Sequence, residues 1–265
     1  MTDAVRYCVH SHVARITLNR PEKGNVVNLD NLNLLHDYIE KAEADADCRA
    51  IVLEGKGGVF SRGMDFEFML GKSEKEGIDA DFGAPYARAV LKIRNAAKPV
   101  IAAVDGEVVA GGTGLALACD IVIATERSRF GLTEVLFGII PAYVFPLLLE
   151  RVSLKRARYL VLTSEKLTAP DAATFGLFDR VVPDDRLEKT LTTVLKRLLY
   201  ASPDALATVK TYSDDIFQRR LEDAMGRAAE QLSQLLKDPK NTDAIKGFIE
   251  GDKMPWATKY RRKKA

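Results

Sequence analysis

Three short aliphatic runs constrain this chain more than anything else in it. Ala50–Leu53 reads AIVL, Val100–Val104 reads VIAAV and Ile121–Ala124 reads IVIA. Each is too short for a helix of ordinary length and too uniformly apolar to leave one face in water, so each is expected to be a strand covered on both sides. Turn residues follow two of them, Gly55-Lys56-Gly57-Gly58 and Asp105-Gly106. Between them lie helical segments. Leu32, Leu35, Ile39 and Ala42 recur at spacings of three and four within Leu29–Ala44, a second helix is expected through Arg88–Ile93, and small residues suit a tightly packed one over Gly114–Cys119. Residues 4–18 alternate, are rich in Val, Ile and Thr, and stop at Asn19-Arg20-Pro21, which reads as one or two strands. The order strand, turn, helix predicts an α/β core with mainly parallel strands. After about Ser202-Pro203 the pattern is helical alone, over 206–217, 219–236 and 242–250. The expected organisation is therefore an α/β core over residues 1–200 and a helical region over 201–265.

Composition removes several classes of function. A chain of 265 residues with 47% hydrophobic side chains has ample material for a large core. Its net charge of +2 offers no broad basic field, so no nucleic-acid partner is expected. The local exception is Lys259–Lys264, KYRRKK, a solvated tail or a contact for a phosphate or an acidic protein. The apolar runs are far shorter than a membrane span, and the first ten residues lack the cationic start and apolar stretch of a signal peptide. Three cysteines without metal or redox spacing fit a reducing cytoplasm. His10 and His12 would share a strand face but have no third ligand nearby, so neither a metal site nor a Ser–His–Asp triad is expected. Both common nucleotide-binding glycine motifs are absent.

The chemistry concentrates elsewhere. Glu134 is a lone carboxylate in the apolar stretch FGLTEVLFGII, Phe130–Ile140. Among Leu132, Val135, Leu136 and Phe137 it is expected to be desolvated, which raises a carboxyl pKa toward the range useful for proton transfer. Taken alone, the residue reads as a helix cap after Thr133 ahead of a catalyst. Two glycine clusters each follow an expected strand: Gly63 in FSRGMD, and Gly111-Gly112 in AGGTG. Such turns let backbone N–H groups approach a ligand closely. The polar, glycine-bearing segment Gly71–Ala84 reads as a mobile loop of the kind that gates substrates.

The glycine clusters and their spacing resemble the crotonase (enoyl-CoA hydratase/isomerase) superfamily. The resemblance covers most of the chain: ITLNRPEKGN at 16–25, VFSRGMDF at 59–66, KPVIAAVDGEVVAGGTGLALACDIVIA at 98–124, FGLTEVLFGIIPA at 130–142 and LTAPDAATFGLFDRVVP at 167–183. It implies a spiral of ββα turns followed by a C-terminal helical trimerisation region, giving a homotrimer or a dimer of trimers. It also implies an acyl thioester as substrate, with CoA or phosphopantetheine as its carrier and no further cofactor or metal. Carried onto this chain, the oxyanion-hole donors are the N–H groups of Met64 and Gly111, with Gly63 and Gly112 permitting the close approach. Glu134 is the acid/base, and Gly114, Tyr86 and Tyr143 join Gly63 and Gly112 around the substrate. Arg20, Lys23 and Lys98 are placed to meet the carrier's phosphates, while Asp65 is expected to cap a helix and Asp120 to tie down a strand end.

Two departures narrow what the resemblance implies. Hydratases of the superfamily hold a water between two glutamates, and the first of those positions is Gly114 here. One acid suffices for proton transfer on one face of a substrate. That fits dehydration of a 3-hydroxyacyl group on acyl carrier protein or CoA, the chemistry of the polyketide β-branching dehydratases whose pattern Ala110–Arg151 most resembles. The alternative it leaves is a 3-enoyl to 2-enoyl-CoA double-bond isomerase, and loss of an acid also fits a non-catalytic scaffold subunit. Val26 stands where the pattern usually has alanine near the adenine of CoA, which favours a carrier protein. Lys155, Arg156 and Arg158 would then be a place for it to dock.

Overall fold

The computed structural model of the chain describes residues 4–65, 83–217 and 219–252, and its frame is a six-stranded sheet. Strands β1 (Val5–His10) and β2 (Val13–Leu18) form an antiparallel hairpin. Next to β2 run β3 (Ala50–Gly55), β5 (Val100–Val104), β7 (Ile121–Thr125) and β10 (Arg180–Val182), all parallel. A second sheet holds β4 (Val59–Ser61), β6 (Glu107–Val109), β8 (Arg129–Gly131) and β9 (Leu167–Thr168), in that order, with only the last pair antiparallel.

The aliphatic runs are strands covered on both faces, as their composition predicts. Along β3, Ile51 and Leu53 enter the main core, which also takes Leu32, Leu35 and Ile39 of helix α1 (Leu29–Ala44) and Ala89, Val90 and Ile93 of α2 (Ala84–Arg94). Val52, Ile101, Ala103 and Ile123 point the other way and are covered by Leu191 and Val194 of α7 (Leu187–Tyr200). The period of two along each strand divides its side chains between two cores, which is why the runs show no polar face. Between these lie α3 (Gly111–Leu117), α4 (Phe145–Arg151), α5 (Leu154–Thr163) and α6 (Ala169–Phe175). The end of the chain carries α8 (Pro203–Phe217), α9 (Arg219–Leu236) and α10 (Pro239–Ile249). The last described strand ends at Val182, so the purely helical stretch starts before Ser202 because α7 belongs to the sheet.

Two local expectations change. Residues 4–18 form two strands, one of the two readings expected, but Ser11 and His12 have φ of 50° and 66° and make the tight turn of the hairpin. His10 and His12 therefore do not share a strand face, and His12 Nδ1 lies 2.9 Å from the Asp47 carbonyl. Small-residue helix α3 begins at Gly111 rather than Gly114. Asp120 does tie down a strand end, accepting from the Val100 N–H at 2.7 Å and from Lys210 Nζ at 2.7 Å. The expected loop Gly71–Ala84, apart from its last two residues, and the basic tail Lys259–Lys264 lie outside the described residues.

The segment before α1 is stitched to the end of β4, and Asn25 is the stitch. It is 1% exposed and has φ of 51°, a conformation asparagine tolerates better than most residues. Its Oδ1 accepts from the Arg20 N–H at 2.7 Å, while Nδ2 donates to the carbonyls of Lys56 at 3.0 Å and Val59 at 2.7 Å. Its own carbonyl accepts from Ser61 Oγ at 2.9 Å. Two residues on, the Val27 N–H donates to Gly63 and the Asp65 N–H to Val27, fixing the backbone around Met64. Replacing Asn25 by alanine orphans buried carbonyls and is expected to cost about 2–4 kcal/mol of stability. A denaturation midpoint matching the parent would show that the stitch is dispensable.

Candidate active site

Two glycine turns meet at the centre of the site. The turn after β4 has Gly63 at φ of 91°, and a Cβ there would lie 2.9 Å from the Gly111 nitrogen and 3.2 Å from the Val109 carbonyl oxygen. Only glycine allows this approach without displacing the neighbouring turn. The bridge between Val27 and Met64 uses the N–H groups of Val27 and Asp65, which leaves the Met64 N–H outside that ladder. Gly111 opens α3, so its N–H has no carbonyl within the helix to donate to. Immediately before it, Ala110 has φ of 50° and ψ of −124°, strained for a residue with a Cβ. Nothing in the sequence marked Ala110; a backbone angle leaves no signature in a residue that tolerates it poorly.

Glu134 is the first residue of a 3-10 turn, Glu134–Phe137, closed by Gly138 at φ of 75°. Its carboxyl is 7% exposed, and Oε2 has no hydrogen-bond partner among the described residues. Burial pushes its pKa up to about 7, partly opposed by hydrogen bonds with the backbone of residues 133 and 134. Leu132 and Phe137 are buried beside this turn, whereas Leu136 is 45% exposed and does not help to bury the acid as expected.

Two cavities adjoin. A small one of about 70 Å³ is walled largely by apolar groups, including Tyr86, Ile139, Tyr143 and Leu232, with Glu134 as its carboxylate among the described residues. A larger groove of about 680 Å³ is mixed in character and includes Glu22, Lys23, Val26, Arg62, Glu107 and Lys166. Met64 and Ala110 line both, so the two turns stand at the junction.

The expected site residues divide accordingly. Met64, Gly111, Glu134, Tyr86 and Tyr143 come together around the small cavity. Gly63, Gly112 and Gly114 do not line either cavity and act through their size. A Cβ on Gly112 would lie 2.4 Å from the Ser61 carbonyl oxygen, and one on Gly114 would lie 2.0 Å from the Tyr86 hydroxyl. Of the three cations expected at a phosphate, Lys23 lines the groove. Arg20 pairs instead with Asp65 at 3.5 Å. Lys98 donates to the carbonyls of Ala42 and Asp45 at 2.7 and 2.6 Å, satisfying the exposed end of α1, and lines neither cavity. Arg62 and Lys166, missed in the sequence, take up the groove; Arg62 lies within FSRGMD, but Lys166 carries no motif at all. Asp65 serves that ion pair, and the helix it was expected to cap lies outside the described residues. Arg156 hydrogen-bonds the carbonyls of Thr174 and Phe175, so that member of the basic cluster is engaged at the end of α6.

Other groupings of ligand-type residues stand apart. His36, Asp37 and Glu40 approach one another on α1 but line neither cavity. Among the described residues, no helix is long and apolar enough to cross a membrane.

The fold and the paired turns place this chain in a defined class. The sequence profile of the enoyl-CoA hydratase/isomerase family matches residues 9–259, and the chain belongs to that family. It is 31% identical over 244 residues to the short-chain-enoyl-CoA hydratase of Clostridium acetobutylicum, covering 91% of this chain and 93% of that one. It is 28% identical over 244 residues to the bacillaene synthase dehydratase PksH of Bacillus subtilis, covering 92% and 93%. The crystal structure of a Bacillus subtilis polyketide biosynthesis enoyl-CoA hydratase, pksH, superposes with a TM-score of 0.90 at 26% identity, over 96% of this chain and 100% of the other. The chain is thus an enoyl-CoA hydratase-like member of the crotonase family, with similarity to its polyketide dehydratase branch.

The raised pKa of Glu134 has a consequence for stability. Its folded value of about 7 lies above the ordinary carboxyl value of 4.5, so the fold favours the protonated form. That advantage is complete below pH 4.5 and is lost as pH rises to 7. Glu134→Gln, neutral throughout, is expected to gain on the parent across that window by up to about 3 kcal/mol. Thermal melts of both proteins at pH 4.5 and pH 8 check this, and a constant difference in Tm would refute it.

Proposed function

We propose that this protein dehydrates a 3-hydroxyacyl group held as a thioester on acyl carrier protein or CoA. The observation that carries the reading is Glu134: a buried carboxyl, with one oxygen lacking a partner among the described residues, lining the same cavity as Met64 and Gly111. In this reading the acyl group enters the small cavity and the carrier arm lies in the groove. The thioester carbonyl then sits at their junction, accepting from the N–H groups of Met64 and Gly111. Ionised Glu134 removes a proton from C2, and the charge passes to the carbonyl oxygen, where the two donors stabilise it. The C3–O bond breaks, Glu134 returns its proton to the departing hydroxyl, and the products are a 2-enoyl thioester and water. Glu134 ends as it began. Its pKa near 7 suits both halves of that cycle.

Similarity to the bacillaene synthase dehydratase PksH supports dehydration. The mixed charge of the groove, where Arg62 is paired with Glu107 at 2.6 Å, supports a lightly charged arm over a nucleotide with several phosphates. The single carboxylate lining the small cavity among the described residues also favours a second reading, double-bond isomerisation, in which the proton removed from C2 returns to C4. We read the assembly as a homotrimer, supported by the exposed apolar side chains Leu162, Val209 and Tyr212 on α5 and α8.

Matched 3-hydroxyacyl and 3-enoyl thioesters of CoA and of carrier protein, incubated in deuterated water, separate these readings. Loss of water from the 3-hydroxyacyl thioester is expected; conversion of the 3-enoyl thioester to its 2-enoyl isomer, with deuterium at C4 and no loss of water, would favour isomerisation. Glu134→Gln is expected to lower kcat by about a thousandfold. In the parent, kcat/KM is expected to rise with pH through about 7, the pKa of the free acid. Full activity in the glutamine variant would sink the proposal.

A further inference from the structure

Tyr86 projects from α2 against the first turn of α3 and is 4% exposed. Its hydroxyl donates to the Gly111 carbonyl at 2.6 Å. The same oxygen occupies the space above Gly114: a Cβ there would stand 2.0 Å from it, 3.0 Å from Val144 Cγ2 and 3.3 Å from the tyrosine ring carbon Cζ. The hydroxyl, more than the ring, forbids a side chain at position 114.

The first turn of α3 needs holding, because it follows the strained Ala110. Backbone strain persists only where surrounding contacts over-determine it. On one side those contacts come from the second sheet and its flanks: the Ala110 N–H donates to Gly131 at 3.0 Å, and Thr113 Oγ1 donates to Val108 and Gly131 at 3.1 and 3.0 Å. On the other side stands Tyr86. Burial first, and the nearby charge of Glu134 second, keep its hydroxyl protonated and therefore a donor.

We propose that Tyr86 is a positioning residue for the oxyanion hole, holding Gly111 in place through its carbonyl, and that Gly114 is the complement which gives that hydroxyl room. This rests on Met64 and Gly111 being the donors to the thioester oxygen. Tyr86 touches no reacting atom in this scheme; it sets the direction of an N–H that does.

Two substitutions break the same bond in different ways. Tyr86→Phe deletes the hydroxyl, and Gly114→Ala pushes it aside. With 3-hydroxybutanoyl-CoA, each is expected to lower kcat for loss of water by about tenfold while KM changes less than about twofold. Tyr86→Phe/Gly114→Ala is expected to be no worse than Tyr86→Phe, since the 2.0 Å clash with the hydroxyl is gone and the contacts left, Val144 Cγ2 at 3.0 Å and Cζ at 3.3 Å, ask only small side-chain shifts. Amide hydrogen exchange supplies a reading independent of turnover. Exchange in the segment 108–117 is expected to accelerate at least about tenfold in Tyr86→Phe, with α7 unchanged. Additive effects of the two substitutions, or a fall in Tm without a change in kcat, would overturn the proposal. So would exchange that rises equally everywhere. If the parent forms no 2-enoyl thioester, the functional reading fails instead, and the exchange result alone decides the role of Tyr86.

Discussion

The close approach of two backbone turns is the constraint on which the rest of the site depends. Gly63, just past the end of β4, and Gly111, at the start of α3, are in contact because Gly63 carries no side chain, whose Cβ would stand 2.9 Å from the Gly111 nitrogen. Parallel pairing of β4 with β6 brings the turns side by side, and the segment around Asn25 and Val27 pins one of them from behind. Glycine contributes freedom here, but freedom alone would leave the turns loose. The order comes from residues outside them: Asn25 on one side, Thr113 and Tyr86 on the other.

Glu134 sits beside these turns at a cost to stability. A carboxyl that has lost water without gaining a strong partner resists ionisation, and in this chain the fold accepts that penalty. A glutamate at position 114 would run into the Tyr86 hydroxyl, 2.0 Å from where its Cβ would lie. Among the described residues Glu134 is the acid of the small cavity, and position 114 is closed to another by one absent side chain and one large side chain over it.

Much of this was legible in the sequence, in a definite order. The aliphatic runs declared strands because burial on both faces leaves no polar alternation, and Glu134 declared itself as one charge in an apolar stretch. The glycine clusters pointed to close backbone approach. What stayed hidden were relations between distant residues. Tyr86 over Gly114, Asn25 across to Val59, and Lys98 committed to the end of α1 are contacts that no local pattern encodes. His10 and His12 were misjudged for the opposite reason: a two-residue turn made by serine and histidine lacks the glycine or asparagine that usually announces it.

The two cavities have different walls, and among the described residues they share only Met64 and Ala110. In the proposed reading, recognition of the carrier and recognition of the acyl group are written in separate sets of side chains. Lys23, Val26, Arg62 and Lys166 can drift without disturbing Ile139, Tyr143 or Leu232, and the reverse holds. A descendant of this chain can change the arm it accepts while keeping the group it transforms, or keep the arm and exchange the group. The narrow junction makes specificity modular.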